Sequence, residues 1–298
     1  MNVSVVMSVY NGAATLRETL DSIQAQEGVD FEVIVVDDGS TDGTAEILER
    51  AEGIRVIHQE NQGLTRSLVT GCRAARAPII ARHDCGDRSR PDRLRRQFEL
   101  ISSADDIVLV SCSTQYVGPD REPLYVVSSN GEEVRRSLLH DGVDSIRGLT
   151  HHGTAMFRRD TYFDAGEYRP QFRFAQDLDL WLRMAPRGRI AFVPEVLYEA
   201  RFEPNAISGV HREQQIESAR IALALRDAPA DRQAALLQRA SEIVAARGTS
   251  ARKKAAGLYF LASALKNAGH RHWRRYAWRA VRVNPMHLRA WLRLLTNR

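Results

Sequence analysis

Apolar and polar positions alternate along the first third of the chain in a repeating pattern. Val3–Val9 is a continuous apolar run broken only by two serines, and it ends in Tyr10-Asn11-Gly12. Thr15 and Glu18 then have the spacing of a capping box, opening a helix towards Gln26. A second apolar run, Val33–Val36, stops at Asp37 and Asp38, and a Gly-Ser-Thr-Asp turn leads into a helical Ala-Glu-Ile-Leu-Glu-Arg. A short strand at Ile54–His58, the turn Glu60–Gly63 and a helix from Leu64 to about Ala75 follow, and then the run Ile79-Ile80-Ala81 enters Arg82-His83-Asp84-Cys85-Gly86-Asp87. Short continuous apolar runs are the mark of strands buried on both faces. Their alternation with helices over short loops predicts an α/β fold with a mostly parallel central sheet and right-handed crossovers. Ligands in such sheets bind beyond the carboxyl ends of the strands. Three of these four strands end there in polar turns carrying Tyr10/Asn11, Asp37/Asp38 and Asp84/Asp87.

Further along, His151–Arg158 reads as a strand, and a helix begins near Ala175. Leu178, Trp181 and Leu182 have i, i+3, i+4 spacing and form its buried face. After His211 the strand signals stop, and Ala, Leu, Arg and Gln recur at helical spacing. Pro204, Asn205, Ser208 and Gly209 break the chain before that change. The expected division is therefore an α/β domain over residues 1–211 and a small all-α region over 212–298. Its helices are expected at Ala255–Gly269, His272–Val283 and Leu288–Leu295. The Ala, Tyr and Trp pattern before Asn284-Pro285 resembles a tetratricopeptide-like helical pair, with fewer than the three repeats such stacks need.

Charge sharpens the division. Residues 212–298 hold 18 Lys and Arg against 5 Asp and Glu, a balance of +13 in a chain whose net charge is +5. The first 211 residues are thus acidic. The Arg/Trp mixture at Trp273, Arg274, Arg275, Trp278, Arg279 and Arg282 suits an interface with anionic lipid, and it equally suits solvated arginines around a helical core. Charge alone would also suit nucleic acid, but no recognition motif supports that partner. No stretch approaches the ~20 apolar residues of a membrane span. The N-terminus enters a strand without a basic leader. Cys72, Cys85 and Cys112 show no metal spacing and read as reduced thiols. A cytoplasmic protein, with a peripheral place on the inner face of the membrane, is the expectation.

What the acidic turns do depends on their neighbours. Asp38 and Ser40 alone could form an Asx turn, with Ser40 or Thr41 capping the next helix. Set in order, however, Val3–Gln26, Phe31–Thr44, Asn61–Asp87 with Pro91-Asp-Arg-Leu94, His151–Arg158 and Phe174–Arg183 resemble family 2 glycosyltransferases, inverting, nucleotide-sugar-dependent enzymes of the GT-A fold. The likeness covers roughly the first two-thirds of the chain. It implies a hexosyltransferase-type enzyme moving a sugar from a nucleotide-diphosphate donor, a UDP-sugar, to a glycan or lipid-linked acceptor, as in cell-envelope polysaccharide synthesis.

By that resemblance Asp38 accepts a hydrogen bond from uracil N3–H. Ser8, Tyr10 and Asn11 lie against base and ribose, and Asn61, Arg66 and Asp84 complete the nucleotide side. Asn61 also reads as a turn former, and Arg66 as an ordinary exposed helix residue. Asp84 and Asp87 are the candidate ligands of a divalent cation, Mn²⁺ or Mg²⁺, which takes one or two carboxylates plus phosphate oxygens. The family commonly has Asp-x-Asp at this place. Here Gly86 occupies the position of the second acid, so Asp87 must take over if metal is bound. Asp177 corresponds to the family's general base. Its neighbour is Gln176 where the family has Glu, and Asp179 reads as a helix N-terminal acid. His151, His152, Gln176, Arg201 and His211 fall on the acceptor or phosphate side.

Two alternatives stand beside this reading. A nucleotidyltransferase that makes nucleotide-sugars would want a Gly-rich, Lys/Arg-bearing loop after the first strand, which Tyr10–Ala14 does not supply. A transferase-like binding protein would have a site decayed through Gly86 and Gln176. The sugar and acceptor contacts fall in the stretch around Gly118–Arg147.

Overall fold

The computed structural model describes residues 1–202, 211–244, 250–267 and 269–295. The expected break at Pro204–Gly209 lies outside them. Nine strands form one mixed sheet, in the order β3-β2-β1-β4-β8-β6-β9-β5, with β7 paired to β6. The strands β1 (Val3–Val9), β2 (Phe31–Asp37), β3 (Ile54–His58) and β4 (Ile79–Asp84) run parallel. The short β8 (Met156–Arg158) is antiparallel to both β4 and β6 (Ile107–Val117). Beyond it, β9 (Arg189–Arg201) is parallel to β6, whereas β7 (Pro123–Val127) and the two-residue β5 (Arg88–Ser89) pair antiparallel.

Helices cover both faces, which is why the strands need no polar side. On β1, Val6 joins one core while Val3, Val5, Met7 and Val9 join the other; on β2, Ile34 is separated from Val33 and Val35 in the same way. One core is closed by α1 (Leu16–Gln24), α2 (Thr44–Glu49) and α4 (Arg93–Ser102), through Leu16, Leu20, Ile23, Leu48, Leu94 and Ile101. The other is closed by α3 (Leu64–Ala74), α5 (Gly131–His140), α6 (Arg159–Asp164) and α7 (Gln176–Met184), with Leu68, Val134, Tyr162 and Trp181 inside.

The basic C-terminal stretch does not pack as one body. Its first helices, α8 (Arg212–Asp227) and α9 (Ala230–Ser241), send Ile221, Ala222, Leu225 and Ala240 into the core of α3 and α7. The remaining three, α10 (Ser250–Asn267), α11 (Trp273–Val283) and α12 (Leu288–Leu295), enclose a separate core of Leu258, Leu261, Leu265, Tyr276, Ala280 and Ala290, joined by Leu124 and Phe202.

Three local expectations are corrected. Thr15 is the N-cap residue of α1, but its side chain makes no capping bond. Glu18 is drawn away by Arg88 and Arg121, so tertiary ion pairs displace the local motif. The segment expected as a strand from His151 is a 3₁₀ turn over His152–Thr154, and only Met156–Arg158 is extended. The His151 ring itself caps this turn, accepting the Gly153 N–H at 3.1 Å. The helix after Asp38 is capped by neither Ser40 nor Thr41: its N-cap is Gly43, and Asp42 accepts the Thr44 N–H at 2.9 Å.

Candidate functional site

Register brings the three turns together: Val9 pairs with Asp37, and Ser8 with Asp84. Ser8 is half-buried at that end of β1. Asn11 adopts a left-handed φ of 52°, a conformation that Asn tolerates better than most residues. From there its Oδ1 accepts the Thr41 N–H at 2.7 Å, while its own N–H donates to Ser40 Oγ at 2.9 Å. The turns after β1 and β2 are thereby laced into one surface, on which Tyr10 stands exposed.

Asp37 and Asp38 have separate duties. Asp37 accepts the Ser40 N–H at 3.1 Å and faces His58 Nδ1 at 3.0 Å. Asp38 is buried, and its Oδ1 accepts Gln59 Nε2 at 2.7 Å and the Gln62 N–H at 2.9 Å. Its Oδ2 accepts the Gly63 N–H at 2.8 Å, at the start of α3. A carboxylate offers about four acceptor positions, so Asp38 retains one, on Oδ2. The Asn61 amide is engaged too, donating to the Asp38 carbonyl at 2.9 Å. Arg66 is exposed beside a cleft of about 280 Å³ shared with Gln62, Gln171, Arg173 and Val244.

The turn after β4 is built differently. Asp84, Asp87 and His151 each present a ligand atom within 4.8 Å of the others. Gly86 has φ 99°, a conformation open mainly to glycine. It turns the chain so that Asp87 reaches the cluster from the position after the glycine. Asp87 Oδ2 accepts the Tyr198 hydroxyl at 2.8 Å and Oδ1 accepts the Arg201 N–H at 2.8 Å. His151 Nδ1 lies 3.6 Å from Asp87 and 3.8 Å from Asp84. Asp84 Oδ1 is held by the wholly buried Arg82 at 2.7 Å.

Electrostatics separate the two acids. Burial alone would raise Asp84, but Arg82 and the nearby His152 and His151 outweigh it and hold the carboxyl down at about 2. Burial, with the adjacent Asp84, pushes Asp87 up to about 6 against the pull of His151. His152 is lowered to about 4, first by burial and then by Arg82, so it is neutral at pH 7. Its Nε2 lies 2.8 Å from the Tyr168 hydroxyl.

A cavity of about 400 Å³ joins this cluster to α7. Asp84, His151, His152, Gln176 and Asp177 line it, and α8 closes it with Gln215, Ile216 and Ala219. Asp177 is half-buried in the first turn of α7, where the helix dipole favours a carboxylate. Its neighbour Asp179 is buried between Arg169 at 3.1 Å and Arg183 at 2.5 Å, a structural ion pair. Arg201 serves the site through its backbone N–H, while its guanidinium donates to the Pro119 carbonyl at 2.7 Å. His211 is the N-cap residue of α8, with its ring 5.2 Å from that of Phe174.

Sequence reasoning placed His151 on the acceptor side and missed its approach to the acids. It also missed Tyr198 and Arg82, which hold those acids. Arg82 carried a signal, since a charged residue continuing the run Ile79-Ile80-Ala81 must find a partner if the strand is buried. The part of α8 gave none.

Comparison with known proteins gives the family and the fold. A profile described as glycosyl transferase family 2 matches residues 4–164. The chain belongs to this family. A putative glycosyltransferase, EpsE, of Bacillus subtilis is 31% identical over 213 residues, covering 68% of this chain and 74% of its own. An uncharacterized glycosyltransferase of Rickettsia prowazekii is 27% identical over 201 residues, covering 67% of this chain. The match spans 63% of that relative's length. Among solved structures, Staphylococcus aureus TarS 1–349 in complex with UDP-GlcNAc superposes with a TM-score of 0.59 at 16% identity, covering 93% of this chain and 83% of TarS 1–349. The mannosyltransferase PcManGT of Pyrobaculum calidifontis, in complex with GDP-Man and Mn²⁺, gives 0.57 at 19% identity, covering 100% and 88%. At such identities the likeness is one of fold, and the fold is that of GT-A glycosyltransferases.

Proposed function

We propose that the protein is an inverting glycosyltransferase that passes a sugar from a nucleotide-diphosphate donor, a UDP-sugar, to a hydroxyl of a glycan or lipid-linked acceptor. The observation that carries this reading is the shared cavity, which has Asp84 and His151 on one wall, backed by the buried Asp87, and Asp177 on another. Family membership and the nucleotide-sugar complexes of TarS and PcManGT support the donor class.

Asp177 takes the proton of the acceptor hydroxyl as it attacks the anomeric carbon, while the diphosphate leaves on the opposite face. Catalysis is then positioning and charge stabilisation, without a covalent intermediate. Asp38 reads the uracil N3–H through its remaining Oδ2 position, and Ser8, Tyr10, Asn11 and Asn61 form the surface for base and ribose. Arg66 contacts the base or a phosphate. Two carboxylates and an imidazole are a donor set suited to Mn²⁺ more than Mg²⁺, with Asp84, Asp87 and His151 as the holding residues once His151 Nδ1 gives up the Gly153 N–H. Such an ion stabilises charge on the departing diphosphate when bound. His152 and Gln176 orient the acceptor, and Arg201 acts by fixing Asp87. The transferase unit spans residues 1–211, with α8 as an added wall and the remaining helices appended. Among the described residues no helix is long and apolar enough to cross a membrane.

Calorimetric titration of UDP- and GDP-sugars with and without Mn²⁺ tests the donor, and mass spectrometry of products from a donor panel names the sugar. Failure to bind any nucleotide-sugar sinks the enzyme reading. Asp177→Asn is expected to lower kcat about 10²- to 10⁴-fold, the usual worth of a general base. Unchanged turnover in that variant removes Asp177 from the role.

A further inference from the structure

The last helix has a wide apolar arc, and a single core accounts for only part of it. Ala290 of α12 is fully buried, and Trp291 and Leu294 pack beside it against the core of α10 and α11. Leu288, Leu292 and Leu295 follow i, i+4, i+7 spacing on the adjoining side, about a third of a turn round from the core, exposed by 73%, 60% and 76%, and Met286 just before the helix is 86% exposed. A surface helix of a globular protein ordinarily shows one apolar stripe, towards its core. Isolated exposed leucines need no explanation, but a rimmed apolar patch marks an interaction surface.

The rim is basic. Arg289 and Arg293 fall on α12 between the leucine stripe and the core side. Trp278 of α11 is 48% exposed, and its ring meets Trp291 at 5.5 Å, joining the stripe to a cleft of about 550 Å³ lined by Arg275, Trp278, Arg279 and Arg282. Asp120 pairs with Arg275 at 2.7 Å and with Arg279 at 3.4 Å, which fastens the inner side of this cleft to the α/β domain. From residue 243 to 298 the chain has 13 Lys and Arg and no Asp or Glu. Cations around leucines and tryptophans match a surface that is anionic outside and apolar beneath.

We propose that this face docks on an anionic phospholipid bilayer, with Leu288, Leu292 and Leu295 entering the headgroup–acyl boundary and the α11 cleft receiving lipid phosphates. An amphipathic helix of this composition lies in the interface plane, and each Arg near an anionic leaflet adds attraction. Nucleic acid would use the arginines and leave the leucine stripe in water. A second copy of the chain would bring together two faces of the same strong positive charge. The inference stands apart from the transferase reading, because docking needs neither donor nor acceptor.

Vesicle flotation with the full chain tests it, comparing phosphatidylcholine with a mixture of phosphatidylcholine and phosphatidylglycerol. Binding to the mixed vesicles, little to the neutral ones, and weakening at high salt are expected. The double variant Leu288→Ser, Leu292→Ser is expected to bind about a hundredfold more weakly, from the lost burial of two side chains. Arg282→Gln with Arg289→Gln is expected to lose roughly thirtyfold. All four side chains are at the surface, so circular dichroism and melting should match wild type. Absence of vesicle binding overturns the proposal. So does binding that ignores lipid charge, or that survives the leucine substitutions. Retention on single-stranded RNA without vesicle binding, or a dimer by light scattering that the leucine substitutions dissolve, assigns the face elsewhere and also overturns it.

Discussion

Two acid-bearing turns flank β1, one after β2 and one after β4, and they use their carboxylates in opposite ways. Asp38 has three of about four acceptor positions filled by Gln59, Gln62 and Gly63, so most of its charge is spent holding the entry to α3. Asp84 is tied down through Oδ1 by Arg82 and Asp87 by Tyr198 and Arg201, and Asp84, beside His151, faces an open cavity. An acid at a strand end is therefore not yet a site. Near-saturation by neighbouring N–H groups makes it mainly structural, with one acceptor position left, and fixation on one side with open space on the other makes it available for a ligand.

The largest effect should come from the β4 turn. Asp87→Asn removes a carboxylate that burial already disfavours in its ionised form, so the fold should keep its melting temperature. Metal-supported turnover should fall by about 10² or more, the scale on which metal-site partners act. Asp84→Asn should lose as much activity and also about 3–5 kcal/mol of stability, because Arg82 would be left buried without its charged partner. Isothermal titration with Mn²⁺ and thermal melts separate the two variants. If both keep metal affinity and activity, the contrast between the turns is broken.

Asp38→Asn is the converse test. An amide in place of the carboxylate sets a donor against the N–H groups of Gln62 or Gly63, at a cost of about 1–3 kcal/mol. A fall in melting temperature of roughly 4 °C is expected, with KM for the UDP-sugar raised and kcat little changed. A stable variant with unaltered KM would show that Asp38 neither holds the turn nor reads the base.

The strand–helix alternation and the convergence of the turns that carry Asp84 and Asp87 were legible because local pattern determines them, whereas Asp177 stood out as a candidate through the family resemblance. Val6 and Ile34 on one face, against Val5 and Val33 on the other, are what the continuous runs implied. What was hidden depended on distant partners. Glu18 looked like half of a capping box until Arg121, 103 residues away, claimed it. His151 looked like part of a strand because only the tertiary fold shows that its ring caps a 3₁₀ turn beside Asp84. Nothing in the helical periodicity of residues 212–227 marks Gln215, Ile216 and Ala219 as a wall of the cavity.

A smaller effect is expected at the link between the regions. Arg121 donates to the Gly86 carbonyl at 3.1 Å and to Glu199 at 3.0 Å, and pairs with Glu18. It thus ties the β6–β7 loop, which also carries Asp120 and Glu122 against α11, to the glycine that positions Asp87. Arg121→Ala should loosen the β4 turn and weaken Mn²⁺ affinity by about fivefold, the upper range of one surface ion pair. It should leave the Asp38 turn untouched, as read by an unchanged KM for UDP-sugar. Equal weakening at both turns would mean that they are one mechanical unit.

The same distinction between filled and open acceptors predicts the smallest effect, at the start of α12. His287 Nδ1 accepts the Ala290 N–H at 3.2 Å, so one ring nitrogen is occupied only while the ring is neutral. Burial first, and then Arg289, lowers its pKa from the ordinary value, while Tyr259 of α10 packs on the ring at 5.1 Å with Arg293 over the tyrosine's own ring. A histidine with a depressed folded pKa takes its proton first in the unfolded chain. Its contribution to stability is therefore complete above about pH 6.5 and is lost as pH falls below that towards the folded value. Hydrogen exchange of the α12 amides should accelerate between about pH 7.5 and pH 5.5, after correction for intrinsic rates. His287→Gln should flatten that dependence. Because the ring is partly in water, the change should stay within severalfold, and protection that ignores pH in the wild type would show that the Ala290 N–H does not need this acceptor.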